Sequence, residues 1–262
     1  MIERCEFKEY KAATVTVPGL RRNVHIVEDS EAVATGCTGL RVWSCAVLLA
    51  SELILQADSM RLKGAIVVEL GCGCGLVGLV AALLGAHVLL TDRDKGCIAL
   101  ASASAAANAE GIGAAEGSVK TALLDWAYPH GAEGIPYGAS TWVIGSDVLY
   151  ETTAATQLAR VIALLLAPGE GRFLALVGVR DVAVFDSFLT SSYMAGLELA
   201  DEPRSIEPCS TAVEKAQDHR HDIEIIETAH QRCGYIRVEM RKARVERGKV
   251  KRNLSTIKLA ES

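Results

Sequence analysis

Val67-Val68-Glu69-Leu70-Gly71-Cys72-Gly73-Cys74-Gly75 joins one short apolar run to another, Leu76 to Leu84, through three glycines on alternate positions. The first run is too short for a helix and reads as a strand, while the segment after Gly75 reads as a helix. The glycines between them let the backbone approach a ligand where a Cβ would clash, and the unpaired N–H groups that open the helix face the same space. This spacing alone is close to the dinucleotide fingerprint Gly-x-Gly-x-x-Gly, so a dehydrogenase and a merely tight turn stand as alternatives. Two neighbours narrow the reading. Glu69 is placed to buttress the loop from the strand, and Asp92 ends the next strand 21 residues after Gly71. There a carboxylate can accept hydrogen bonds from both ribose hydroxyls of an adenosine.

Outward from the loop the texture repeats. Ile66 to Leu70, His87 to Thr91, Val119 to Leu124, Trp142 to Gly145 and Phe173 to Val179 read as strands. Most are apolar on consecutive positions, as strands buried on both faces are. Leu76 to Leu84, Asp94 to Ala109, Thr152 to Leu166 and Asp181 to Ala195 read as helices between them. Strict alternation implies a doubly wound α/β fold, a mostly parallel sheet with helices on both faces. Upstream, Gly39 to Ala57 carries a broad apolar stripe at helical spacing. Thr14 to Val17 and Val24 to Val27 alternate around Pro18-Gly19 and predict an N-terminal β-hairpin. Downstream, Leu197 to Ala200, Ile223 to Thr228 and Tyr235 to Met240 are candidate strands, of which two should close the sheet as an antiparallel pair.

The chain has 262 residues, half of them hydrophobic, which suits one domain with extensions. The expected boundaries are 1–38 for the hairpin extension, 39–242 for the α/β domain and 243–262 for a basic tail. No apolar run approaches the ~18 residues of a membrane span, and the first thirty residues lack an export signal, so a soluble, unexported protein is expected. Eight scattered cysteines fit reduced thiols in a cytoplasmic or nuclear setting. Cys72 and Cys74 lack a second closely spaced ligand pair, so no metal is expected. None of the six histidines has a partner spacing that argues for catalysis. A net charge of −5 provides no general attraction for nucleic acid. The exception is Arg241 to Arg252, with seven Lys or Arg against one Glu, which reads as a nucleic-acid arm, a targeting signal or a solvated end.

Several segments in order carry a resemblance: Gly39-Leu40-Arg41-Val42-Trp43, residues 69–92, Asn108, Leu124-Asp125-Trp126 and Gly145-Ser146-Asp147-Val148-Leu149-Tyr150. From about Gly39 to Arg180 the sequence resembles the seven-β-strand protein-lysine methyltransferases grouped as methyltransferase family 16. The loop is shared by many methyltransferases, whereas the Val-Trp, Leu-x-Trp and Asp-x-x-Tyr elements make the match specific. The resemblance implies a Rossmann-like class I methyltransferase fold: a seven-stranded, mostly parallel sheet with an antiparallel terminal strand. It implies S-adenosylmethionine as cofactor, leaving as S-adenosylhomocysteine, and a protein lysine as acceptor, with a monomer expected.

By position, Trp43, Gly71, Cys72, Gly73, Asp92, Trp126 and Ser146 would contact the cofactor, with Glu69 and Gly75 completing the loop. Trp126 would stack on the adenine, and an ordinary core tryptophan is the alternative for it and for Trp43. Asp147 would receive the acceptor amine, with Tyr150 as a wall and hydrogen-bond partner; alternatively Asp147 caps the next helix. Arg180 matches a recurring family position and would orient substrate, or else be a surface arginine. The chain departs from the family in Thr141-Trp142, where an acidic residue is usual, and in Ser146, where alanine is common. Other readings are a small-molecule amine (nicotinamide-like) or RNA methyltransferase and a non-catalytic cofactor-binding module. Against nucleobase amines, the fourth strand ends in Ser-Asp-Val-Leu-Tyr without an Asn/Asp-Pro-Pro-aromatic sequence.

Overall fold

The structure, a computed structural model, describes residues 11–29, 38–130, 132–178, 180–206 and 235–243. β1 (Lys11–Val15) and β2 (Val24–Glu28) form the expected hairpin, with Val15 opposite Val24. A 3-10 turn at Thr38–Leu40 precedes α1 (Ser44–Leu55). The alternation follows as β3 (Ile66–Leu70), α2 (Leu76–Leu83), β4 (His87–Asp92), α3 (Lys95–Ala107), α4 (Ala109–Ala114) and β5 (Ser118–Leu123). It continues with β6 (Trp142–Ser146), α5 (Thr152–Leu165), β7 (Arg172–Gly178) and α6 (Val182–Met194), then β8 (Leu197–Leu199), β9 (Arg204–Ile206) and β10 (Tyr235–Lys242).

The main sheet runs β5-β4-β3-β6-β7-β10-β8, with β9 also beside β10. Pairings from β5 through β7 are parallel, and β10 is antiparallel to β7. β10 therefore inserts between β7 and the outermost position, which β8 and β9 share, β8 along Met240–Lys242 and β9 along Tyr235–Arg237. The expected antiparallel pair is thus Leu197–Leu199 with Tyr235–Lys242. β9, Arg-Ser-Ile, carries too little pattern to be read as a strand. Ile223 to Thr228, His219, His221 and the tail beyond 243 lie outside the described residues.

Successive strand residues face opposite sides of a sheet, and Val67 and Val68 accordingly enter different cores. On one side Leu49, Leu53, Leu76, Leu79 and Leu100 cover the sheet from α1, α2 and α3; on the other Leu158, Ile162, Phe185 and Phe188 cover it from α5 and α6. Every residue of α2 is buried. Gly78 permits this closeness, because a Cβ there would lie 2.3 Å from Leu90 Cδ2 and 2.7 Å from Glu69 Oε2. β5 is an edge strand with exposed positions at Ser118, Lys120 and Leu123, unlike the doubly buried strand its apolar content suggests. His87, expected in a buried strand, is exposed and lies 3.0 Å from the Ser118 hydroxyl through Nδ1.

The helix read from Asp94 to Ala109 breaks at Asn108, and the break has a purpose in packing. Asn108 Nδ2 donates to the carbonyls of His25 (2.6 Å) and Ser104 (2.7 Å), and its Oδ1 accepts from His25 N–H at 3.1 Å. Ser104 Oγ accepts from Val27 N–H at 2.8 Å. Helix side chains thus satisfy the backbone of β2 where another strand would otherwise be needed, which explains two buried polar residues. At the opposite end, buried Arg237 of β10 pairs with Glu52 of α1 (3.0 Å) and with Glu239 (2.8 Å). No helix among the described residues is long and apolar enough to cross a membrane.

Candidate functional site

The parallel strands deliver the residues singled out above at their carboxyl ends: β3 to Gly71, β4 to Asp92, β5 to Trp126, β6 to Ser146 and Asp147, and β7 to Arg180. β4 and β5 build outward on one side of β3, and β6 and β7 on the other. The reversal lies between β3 and β6, the switch point at which open α/β sheets leave a crevice for ligands.

Gly71, Gly73 and Gly75 have φ of 65°, 52° and 85°, a left-handed path that costs side-chain-bearing residues dearly. A Cβ on Gly73 would stand 2.6 Å from the Gly39 carbonyl oxygen, and one on Gly71 3.2 Å from Val148 Cγ1 and 3.5 Å from Trp126 Cζ2. Gly73 therefore seats the segment leading to Trp43 against the loop, while Gly71 brings the exits of β5 and β6 together. Trp43 is half-buried and opens α1 as its N-cap, and Trp126 is half-buried beyond an Asx turn in which Asp125 Oδ1 accepts from Ala127 N–H at 2.9 Å.

Gly75 is the N-cap of α2 and has no side chain to cap with. Glu69 does this instead: its Oε2 accepts from Gly78 N–H at 2.8 Å, the bond an N-cap oxygen ordinarily makes to the third helical residue. Burial, with a smaller push from Asp92, raises its carboxyl to about 8 against the opposing Gly78 bond. Its side chain is committed to the helix and supports the loop from behind, 1% exposed. Cys72 is likewise turned inward; burial pushes its thiol up, and its backbone donates to Thr91 O (2.9 Å) and accepts from Gly75 N–H (2.7 Å).

Asp92 is tied to the loop it serves. Its Oδ2 accepts from Gly73 N–H at 3.1 Å and its Oδ1 from Asp94 N–H at 3.0 Å, leaving further lone pairs at the crevice. Burial raises this carboxyl above its ordinary value, against those two backbone bonds. Asp94 caps α3 through Gly96 and Cys97 N–H, a role its place before an apolar run foretells.

Asp147 is one of three non-glycine residues at positive φ among those described, at 54°. Its N–H donates to Leu176 O at 2.9 Å, and Arg180 Nη2 donates to its Oδ2 at 2.5 Å. Its Oδ1 is buried and has no hydrogen-bond partner among the described residues. The capping alternative does not hold: α5 has Glu151 at its N-cap, with no side-chain bond. Arg180 is exposed, yet engaged with Asp147, so it is more than a solvated arginine. Ser146 is partly buried beside it, and Tyr150 is half-exposed at the rim, its phenol raised by burial.

Sequence reasoning missed the floor beneath this pair. Tyr235, opening β10, hydrogen-bonds Ser44, and the charges of Asp147 and Arg180 both act on its hydroxyl and on the Cys45 thiol. These residues come from opposite ends of the chain, and no local pattern links them. Val148, packed against Gly71 and Gly145, was legible only as a spacer between Asp147 and Tyr150.

The arrangement offers a backbone cradle beside the Asp92 carboxylate on one side of the switch point, and the Asp147 carboxylate, paired with Arg180, on the other. Comparison with known proteins agrees. Protein N-lysine methyltransferase METTL21A of Danio rerio is 37% identical over 109 residues, 42% of this chain and 47% of its own length. The chain spans about half the length of the curated relatives it matches. Among solved structures, the [4+2]-cyclase SpnF superposes with a TM-score of 0.54 at 18% identity, over 74% of this chain and 80% of its own. Magnesium protoporphyrin IX methyltransferase from Synechocystis PCC 6803, solved with bound S-adenosylhomocysteine, superposes at 0.51 and 16% identity over 76% and 84%. At such identities these neighbours show the fold, that of S-adenosylmethionine-dependent methyltransferases, and a cyclase among them shows that the fold does not name the reaction. The family model described as lysine methyltransferase matches residues 22–188, and with more than half of its length so matched the chain belongs to that family, methyltransferase family 16.

Proposed function

We propose that this protein transfers a methyl group from S-adenosylmethionine to a lysine side chain of a protein substrate. The observation that carries the reading is the junction at Gly71, where the cradle, Trp126 and the Asp147–Tyr150 turn meet at one point of the sheet. The residues present suit the cofactor. Gly71 and Gly73 leave backbone exposed where a Cβ would collide with Val148 or Gly39, and Asp92 keeps acceptor capacity for the ribose hydroxyls. Trp126 offers an indole face for the adenine, and the family resemblance adds Trp43 and Ser146 as further contacts.

The cofactor supplies a methyl group on a sulfonium, activated for in-line displacement. What the chain contributes is alignment, exclusion of water and handling of charge. A lysine ammonium has no lone pair and must lose its proton before it can attack. Asp147 can accept an N–H of the incoming amine and so fix the direction of its lone pair. Tyr150 lines the approach and can bond the amine from the rim. The buried thiols Cys45, Cys72 and Cys74 support a reducing, cytoplasmic or nuclear, setting.

The test is to incubate the purified chain and tritiated S-adenosylmethionine with cell extract, then to separate protein, RNA and small solutes. Methyllysine in the protein hydrolysate is the expected result. Label confined to RNA or to small solutes would overturn the proposal.

A further inference from the structure

A lone carboxylate is an awkward partner for a lysine that must react as the free amine. It attracts the ammonium, but by doing so it favours the protonated form, which cannot attack. In this protein Asp147 is not alone. Arg180, entering from the end of β7, places Nη2 2.5 Å from Asp147 Oδ2. The pair is lopsided: the aspartate side chain is 11% exposed and the arginine 41%. One carboxylate oxygen is thus occupied, while Oδ1 is buried and unpartnered among the described residues.

We propose that Arg180 is the positioning residue of the acceptor site: it holds Asp147 by Oδ2, fixes the carboxylate at the end of β6, and balances its charge so that the amine arrives unprotonated. The inference rests on the lysine reading given above. It assigns Arg180 to Asp147 and not to the substrate itself.

The backbone makes such a holder useful. Asp147 sits at φ 54°, and the bond from its N–H to Leu176 fixes the main chain but not the carboxylate. Side-chain torsions could still turn the carboxylate, and the guanidinium holds it in one orientation. Among the described residues, Arg180 is the one cation acting on the Cys45 thiol and the Tyr235 phenol beside Asp147. The titratable groups facing the pair are Cys45 from α1 and Tyr235 from β10. Burial pushes the Cys45 thiol up and the Tyr235 phenol to about 12, so both are neutral and leave the balancing to Arg180. Farther out, Tyr150 is raised by burial and stands nearer to Arg93, Asp92 and Glu151. None of these neutral groups can replace a guanidinium.

The experiment uses the full chain, Arg180→Met and Arg180→Lys, with tritiated S-adenosylmethionine and a dilution series of cell-extract protein, methyllysine being quantified in the hydrolysate. Cofactor affinity is measured separately by calorimetry. Arg180→Met should lower kcat by about tenfold or more near neutral pH while KM and the cofactor Kd stay within about threefold. Its deficit should shrink as the pH is raised toward about 9, where more of the lysine is free amine, and Arg180→Lys should recover most of the rate. Wild-type kcat in Arg180→Met, loss of cofactor affinity alongside kcat, or a lysine variant no better than the methionine variant would each overturn the inference while leaving the lysine reading intact. If the wild-type chain forms no methyllysine, the lysine reading falls and this inference with it; the identity of the labelled product separates the two failures.

Discussion

At the scale of single residues, Glu69 shows how a charge type is used for shape. Its carboxyl caps α2 from the preceding strand and titrates near 8 in the folded chain against an ordinary 4.5. Between these values the folded protein holds a proton that the unfolded chain has released. The group's contribution to stability is therefore fully present below about 4.5 and is lost as pH rises through about 8. Glu69→Gln keeps an oxygen for Gly78 N–H and has no charge to bury. Relative to wild type it should gain stability between pH 5 and 9, by up to a few kcal/mol at about 1.4 kcal/mol per unit. Urea unfolding of both proteins across that range checks this, and parallel pH curves would refute it. The same scale shows what a sequence discloses. Glu69, the loop glycines and Asp92 are legible because they lie within one βαβ unit, at spacings imposed by strand and turn geometry. The Asp147–Arg180 pair is not, because the two residues meet only once β6 and β7 lie side by side.

Among elements, the limits of the strands and helices from Ile66 to Met194 follow the apolar periodicity to within a residue or two, whereas the helix read from Gly39 to Ala57 begins only at Ser44, after Trp43 as N-cap. They fail where side chains compete with the backbone. The break between α3 and α4 belongs to Asn108, whose amide serves His25 in β2, a partner 83 residues away that no local window contains. β9 fails for the opposite reason, being three residues on the outer edge with β10 as its one strand neighbour among the described residues. Asn108→Ala should leave the His25 N–H and C=O without their partner, costing up to about 6 kcal/mol at about 1–3 kcal/mol for each group left unsatisfied. Hydrogen exchange should speed up at residues 24–28 while β3 and β4 keep their protection. Uniform acceleration across the sheet would mean instead that the hairpin is integral to the core and not a docked extension.

For the molecule as a whole, the proposed reading divides the sheet's tasks at the switch point, with most cofactor groups on the β3–β5 side and the acceptor groups on the β6–β7 side. This division predicts a dissociation of phenotypes. Saturating S-adenosylmethionine should raise the unfolding midpoint of the wild type, since ligand at a hundredfold over its Kd stabilises by about 2.7 kcal/mol. Asp92→Ala should lose that shift. Asp147→Asn, isosteric and tolerant of the left-handed backbone, should keep the shift and abolish transfer. Thermal melts with and without cofactor, paired with the transfer assay, check both; turnover at the wild-type rate in Asp147→Asn would defeat the assignment. The insertion of β10 between β7 and the β8–β9 edge has a further consequence, for the order in which the chain can be made. Synthesis delivers β7 long before Tyr235, and among the described residues β8 and β9 pair only with β10, so β7 must wait with an open edge while the rest of the sheet assembles. A nascent chain stalled before Tyr235 therefore displays a buried-type apolar strand, Phe173 to Val177, as a template for other chains, and is the species that a cell's chaperones would have to shield.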